Sequence, residues 1–254
     1  MAITIKSERE IELMAEAGKI LERVHNELEK ALHPGMSTKD IDTLGEEIIR
    51  SYGCIPSFLN YNGYPASICV SVNQEVVHGI PDKHRIIQEG DIVSLDAGVI
   101  YKGYHSDAAR THAVGEVSEE AKKLIQVTKE CFFEGIKYAK AGNHLFDISG
   151  AIGRYAEERG YGVVRDLCGH GIGTALHEAP EIPNYEVGRK GVKLRPGMTL
   201  AIEPMINIGT YEVDWLDDDW TVVTRDGSLS AHYENTILIT EGEPRILSLT
   251  CDNE

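Results

Sequence analysis

Apolar side chains recur at Ile11, Met14, Leu21, Val24, Leu28 and Leu32, the three-to-four-residue repeat of one helix face. The stretch opens on Ser7-x-x-Glu10, a hydroxyl and a carboxylate spaced so that each can satisfy a backbone N–H at a helix start. Together they predict a helix over 7–32. After Pro34-Gly35 a second helix is predicted from near Ser37 to Tyr52. The period then shortens: "ASICVSV", "DIVSLDAGVI" and, beyond Lys102-Gly103, "YHSDAARTHAV" read as strands. The order then recurs, with a helix from Ser118 to about Ala141 stopped by Gly142, a helix to about Arg159 ending at Gly160, and strands again.

The recurrence has a fixed offset. "PGMSTKDI" holds Gly35, Asp40 and Ile41 where "AGNHLFDI" holds Gly142, Asp147 and Ile148, each pair 107 apart. "GDIVSLD" ends in Asp96 and "GMTLAIE" ends in Glu203, again 107 apart. A duplicated helix–helix–strands unit packed about a pseudo-twofold axis is expected. The chain would then be a single catalytic domain over 1–254 with internal halves of roughly 1–115 and 116–254. Such packing sets Asp96 and Glu203 across from each other at a common site.

Carboxylates inside apolar strands need a reason, because burying one unpaired costs several kcal/mol. If Lys102-Gly103 forms a two-residue hairpin turn, Asp96 lies opposite Ala109. Asp107 is then its diagonal neighbour on the same face, roughly 7–8 Å away by backbone. Two like charges that close call for a cation. In "RPGMTLAIEPMIN", Glu203 shares the small-residue face with Thr199 and Ala201, opposite Met198, Leu200 and Ile202. Glu234 falls inside the strand-like run "LSAHYENTILIT". Four carboxylates with the imidazole of His170 balance two divalent cations, and an oxygen-rich shell fits a two-metal hydrolytic site better than a closed thiolate zinc site.

The stretch "DLCGHGIGTALHE", residues 166–178, carries His170 and His177 seven positions apart. On an ideal strand that odd separation would put the two imidazoles on opposite faces. Gly169, Gly171 and Gly173 let the backbone bulge or approach a neighbour closely. Taken alone, the stretch reads equally as a glycine-rich turn with two incidental histidines, and His78 in "VVHGIP" as an ordinary loop histidine.

Composition narrows the setting. No apolar run approaches the ~20 residues of a membrane span, and "MAITIKSEREIELM" lacks the long apolar core of a secretion signal, so a cytoplasmic protein is expected. Twenty-five Lys and Arg against 41 Asp and Glu give a net charge of -16, which disfavours nonspecific attraction to nucleic acid or anionic membranes. Cys54, Cys69, Cys131, Cys168 and Cys251 are scattered without a C-x-x-C, the pattern of reduced thiols rather than of a disulfide framework.

Taken in order, "VVHGIP", "SLDAG" with "YHSDAART", "CGHGIGTALHEAP", "RPGMTLAIEPMIN" and "HYENT" resemble the type I methionine aminopeptidases of the short form, from end to end of the chain. The resemblance implies an α+β pita-bread fold, two related αβ halves around a curved antiparallel sheet. It implies metal ligation by Asp96, Asp107, His170, Glu203 and Glu234, the same five residues singled out above, with two divalent ions drawn from Co, Mn, Fe and Zn. It further implies removal of the N-terminal methionine from nascent polypeptides whose second residue is small. On the same resemblance, a metal-bridging hydroxide would attack the scissile carbonyl with Glu203 as proton shuttle, His177 would bond the developing oxyanion, and His78 would contact the scissile amide nitrogen.

Family matching also places the methionine side chain among Tyr61, Tyr64, Cys69, Leu176 and Trp220, an aromatic and sulfur-tolerant wall suited to a thioether. Cys69 within "SICVSV" reads on its own as core packing. Asn62 stands where many relatives carry His, and Leu176 where many carry an aromatic residue, which leaves the pocket's shape open while the chemistry is unaffected. The implied partners are nascent N-termini, with transient ribosome contact left open and a monomer expected, without membrane or specific nucleic acid. Proline dipeptidases and aminopeptidase P share the fold and the five-ligand pattern but usually carry a substantial N-terminal domain. Non-catalytic pita-bread binding modules typically lose ligands. Both remain alternatives at this point.

Overall fold

The first helix, α1 (Glu8–Ala31), begins where the reciprocal cap requires: Glu10 N–H donates to the Ser7 hydroxyl, and Ser7 N–H donates to the Glu10 carboxylate at 2.7 Å. Met14, Leu21, Val24 and Leu28 on its apolar stripe are buried. Helix α2 (Thr38–Ser51) repeats the device with Ser37 and Asp40. The computed structural model describes residues 3–249, so Cys251, expected as a reduced thiol, lies outside the described residues. Cys54, Cys69, Cys131 and Cys168 are free.

The second helix pair is α3 (Glu119–Ile136) and α4 (Leu145–Glu157). α3 stops short of the expected end near Ala141. Tyr138 and Ala139 turn their N–H groups back to Gly135 and Ile136 in tight turns, which breaks the helical ladder. Gly142 is therefore not the stop of α3. At a φ of 94° it turns the chain toward α4 and donates to the Leu194 carbonyl.

Lys102 and Gly103 both take positive φ, 49° and 86°, the geometry of a two-residue primed turn. They join Ile92–Tyr101 to Tyr104–Ala113 in a long hairpin that pairs Tyr101 with Tyr104 and Asp96 with Ala109, as the sequence predicts. On the far side of Tyr104–Ala113 lies Glu234–Leu238, followed by Thr199–Ile202, Gly169–Gly171 and Glu178–Ile182. Ile68–Val72 and Ile55–Pro56 pair with the outer edge of Ile92–Tyr101. Pairing in this sheet is antiparallel among the described residues. One smaller sheet joins Glu75–Val77, Val222–Thr224 and Val213–Trp215, and another joins Gly162–Val163, Met205–Asn207 and Ser230–His232.

The 107-residue offset reappears as hydrogen bonding. Gly35 donates to the Ile87 carbonyl as Gly142 does to that of Leu194, and the bridges Ser37–Ile86 and His144–Lys193 repeat at the same spacing. Each helix pair covers its own core, one containing Leu21, Ile49, Ile68 and Leu95, the other Leu124, Phe132, Ile148 and Leu200. Among the described residues no helix is long and apolar enough to cross a membrane.

Candidate active site

Side chains alternate across a strand, so the register collects the acids on one face. Asp96 and Glu234 flank Ala109 from its two neighbouring strands, and Asp107 lies two residues along from Ala109. Glu203 follows Thr199–Ile202, whose Ile202 pairs with Asn235, and so stands beside Glu234. His170 pairs with Ala201. Donor atoms of Asp107, His170 and Glu234 lie within 4.8 Å of one another. His170 Nε2 is 3.7 Å from both Asp107 Oδ2 and Glu203 Oε1, and Asp96 joins the group through its carboxyl contact with Asp107.

These residues suit a divalent metal. Asp96 Oδ1, Asp107 Oδ1 and Glu234 Oε1 are buried with no hydrogen-bond partner among the described residues. Burial, reinforced by the neighbouring carboxylates, holds Asp96, Glu203 and Glu234 well above the ordinary range, and burial pushes Asp107 up to about 7. Such a cluster needs cations or protons to be stable. His170 Nδ1 faces the Gly171 carbonyl at 2.8 Å. A carbonyl only accepts, so Nδ1 carries the proton and the Nε2 lone pair is left toward the carboxylates. Burial, with His177 nearby, pushes the His170 pKa down to about 3, keeping the ring neutral as a ligand must be.

A bulge between His170 and Gly171 redirects the chain. A Cβ added at Gly169 would lie 2.4 Å from the Ala201 carbonyl oxygen, and one at Gly171 would lie 2.2 Å from that of Ala179. Only glycine permits these approaches. His177 thereby reaches the same cavity, its Nδ1 2.9 Å from the Tyr61 hydroxyl. Lys6 secures the loop through Glu178 at 2.6 Å. His78 sits in the left-handed region at a φ of 59° just after Glu75–Val77, a backbone state that costs a non-glycine residue about 1–3 kcal/mol. Burial, with His177 nearby, pushes its pKa down to about 4.

A cavity of about 710 Å³ opens over this set. Its lining includes Asp96, Asp107, His170, Glu203 and Glu234, with His78, His177, Tyr61, Tyr64, Cys69, Leu176 and Trp220. Tyr64 and Trp220 meet edge to face with centroids 5.1 Å apart, and the Tyr64 hydroxyl is held by the Gly79 carbonyl at 2.9 Å. Cys69 and Leu176 are buried in the same apolar cluster, so core packing and cavity lining are the same position.

Sequence reasoning missed Phe58, Leu167, Cys168 and Met205 on the wall, and His232 behind it. His232 Nε2 is 3.7 Å from Glu203 Oε2 and 3.9 Å from Glu234 Oε2, and neither ring nitrogen has a hydrogen-bond partner among the described residues. Its position two residues before Glu234, on extended chain, was the available signal. Phe58 and Leu167 come from irregular segments and carry no periodic signal.

Comparison with known proteins places this geometry in a family. Residues 12–241 match the model of metallopeptidase family M24. A methionine aminopeptidase of Clostridium acetobutylicum is 58% identical over 247 residues, covering 97% of this chain and 99% of the relative. That of Escherichia coli K12 is 40% identical over 254 residues, covering 100% and 96%. The crystal structure of methionine aminopeptidase from Thermotoga maritima superposes with a TM-score of 0.96 at 47% identity, covering 98% of this chain and 100% of that one. A Xaa-Pro dipeptidase from Bacillus anthracis shares the pita-bread fold at a TM-score of 0.78 and 27% identity, but the chain spans 62% of its length. Full-length similarity at these identities, over a cavity built from carboxylates and imidazoles, means that the chain belongs to metallopeptidase family M24 and, within it, to the methionine aminopeptidases.

Proposed function

We infer that this cavity removes the N-terminal methionine from nascent polypeptides with a small second residue, using two divalent ions held by Asp96, Asp107, His170, Glu203 and Glu234. One observation carries the reading: four carboxylates, three of them (Asp96, Asp107 and Glu234) with a buried unpartnered oxygen, converge with the neutral His170 on one wall of the cavity. Divalent ions bound there supply Lewis-acid polarisation of the scissile carbonyl and acidify the attacking water.

The chain's own groups do the rest. Glu203 accepts the water proton on its carboxylate and returns it to the leaving amine. His177 donates from Nε2 to the oxygen of the scissile carbonyl as charge develops there. The neutral His78 contacts the scissile nitrogen. Tyr61, Tyr64, Cys69, Leu176 and Trp220 enclose the thioether and exclude water. Every residue invoked comes from one chain, so a monomer suffices. Residues 1–254 then act as one catalytic domain whose halves, roughly 1–115 and 116–254, each contribute acids, in a cytoplasmic setting where new N-termini appear.

The test is kcat/KM on Met-Ala-Ser, Leu-Ala-Ser, Met-Lys-Ser and Ala-Pro with Mn²⁺ or Co²⁺ supplied. Met-Ala-Ser should exceed Leu-Ala-Ser by at least about tenfold, the lower end of what a misfit in an apolar pocket yields. It should also exceed Met-Lys-Ser. Preference for Ala-Pro would transfer the chain to the proline-specific reading.

A further inference from the structure

We propose that Tyr61 is the positioning residue of His177: its phenol donates to Nδ1 and fixes the imidazole as the Nε2–H tautomer, the form able to donate to a developing oxyanion. The inference rests on the assignment of His177 as oxyanion donor made above. The Tyr61 hydroxyl oxygen is 2.9 Å from His177 Nδ1, and the two rings stand edge to face at 71° with centroids 5.2 Å apart.

A neutral imidazole offers one N–H and one lone pair, and a phenol either donates or accepts. The role given to His177 decides which. Donation to a developing oxyanion needs the hydrogen on Nε2, which leaves the lone pair on Nδ1, and at 2.9 Å from that lone pair the phenol is the donor.

Asn62, next to Tyr61 in the chain, takes a φ of 51°, in the left-handed region, where asparagine is among the better-tolerated side chains. The neighbouring His170 is held in the opposite tautomer, because its Nδ1 donates to the Gly171 carbonyl at 2.8 Å. Two imidazoles with centroids 4.2 Å apart are thus fixed by different partners, one with a bare Nε2 for a cation and one with an Nε2–H for an anion. His177 is the solvent-exposed member of the pair, so without Tyr61 it would sample both tautomers.

Tyr61→Phe keeps the ring and removes the hydroxyl. The first measurement is ¹⁵N NMR of histidine-labelled, metal-free protein at about pH 8, well above the ordinary histidine pKa, with His177 assigned from the spectrum of His177→Gln. Wild type should show His177 protonated on Nε2, and Tyr61→Phe should shift it toward a mixture. The second measurement is kinetic, with Mn²⁺ and Met-Ala-Ser. Tyr61→Phe should lower kcat by about 2- to 10-fold, the worth of one neutral hydrogen bond, with KM unchanged. Combined with His177→Ala it should lose no more than His177→Ala alone. A His177 protonated on Nδ1 in wild type, an unaltered kcat in Tyr61→Phe, or losses that multiply in the double variant would overturn the proposal. Full activity in His177→Ala would instead remove the oxyanion assignment itself, which keeps the two failures apart.

Discussion

His170 and His177 meet edge to face, with ring centroids 4.2 Å apart at 87°, although they lie seven positions apart along the chain. A regular strand would have sent them to opposite faces. The bulge after His170 and the close backbone approaches at Gly169 and Gly171 bring them to one cavity. They share that cavity but not their partners, since His170 Nε2 faces Asp107 and Glu203 while His177 Nδ1 faces Tyr61.

Different partners predict different losses. His170→Ala should lose metal affinity, because it removes a donor from the carboxylate cluster. His177→Ala should retain metal and lose about 10²–10³ in kcat, the usual cost of one oxyanion donor. Calorimetric titration of both variants with Mn²⁺ separates them, and equal loss of binding in the two would sink the division of roles.

The carboxylates predict linked metal content and stability. Asp107→Asn or Glu234→Gln should lower metal content and abolish turnover while the fold survives, since each removes one of the charges that balance the cations. In wild type, a divalent ion at about a hundred times its dissociation constant should stabilise the fold by about 2.7 kcal/mol. Thermal unfolding with and without chelator measures this, and a melting temperature indifferent to metal would count against a site in this cluster.

Much of this site was legible because two devices fix register. Lys102-Gly103 closes a two-residue hairpin, and once that turn is granted Asp96, Ala109 and Asp107 fall into place. The 107-residue echo then leads from Asp96 to Glu203. Where local pattern and tertiary contact part, the sequence misleads. Apolar residues continue past Ile136 to Tyr138 and Ala139, so the end of α3 is set by turn hydrogen bonds that no periodicity records. Tyr61 and His177 lie 116 positions apart, so their pairing follows only from the folded arrangement. His232 and Glu234 belong to different sheets, which hid a shared face that simple alternation would have shown.

His25 predicts an acid limb of stability away from the metal cluster. It is buried in α1, with Nε2 donating to the Ala108 carbonyl at 2.8 Å and Nδ1 without a partner among the described residues. Burial, with Arg110 and His112 adding to it, holds its pKa well below 6.5. As pH falls through the unfolded value of about 6.5, the unfolded chain binds a proton that the native chain refuses, so stability is lost below that pH and unaffected above it. His25→Gln should reduce the stability lost between pH 7 and pH 5 by about 2 kcal/mol, read from urea unfolding of metal-free protein. Parallel pH profiles for the two chains would contradict the neutral, buried state.

Lys6 predicts the stability of the loop that carries His177. Its side chain is 4% exposed and that of Glu178 is 12% exposed, with Nζ to Oε2 at 2.6 Å, and Thr4 Oγ1 donates to the same oxygen at 2.6 Å. Burial pushes the Glu178 carboxyl up, yet the bonds from Lys6 and Thr4 outweigh it and keep the group below its ordinary range. Glu178 is therefore charged in the fold and depends on the ammonium. Lys6→Met leaves that charge without its counter-ion, held only by the Thr4 and Ala175 donors, and should cost about 2–3 kcal/mol, below the roughly 3–5 kcal/mol of a fully buried pair. Adding Glu178→Gln removes the orphaned charge and should recover a substantial part of the loss, a non-additivity expected of two groups in direct contact. Urea unfolding of the metal-loaded variants measures both. If Lys6→Met loses no more than an exposed pair would, about 0–1 kcal/mol, or if the second substitution adds its own penalty in full, then Lys6 is not what holds Glu178 and the His177 loop must be secured by its glycine-mediated backbone contacts alone.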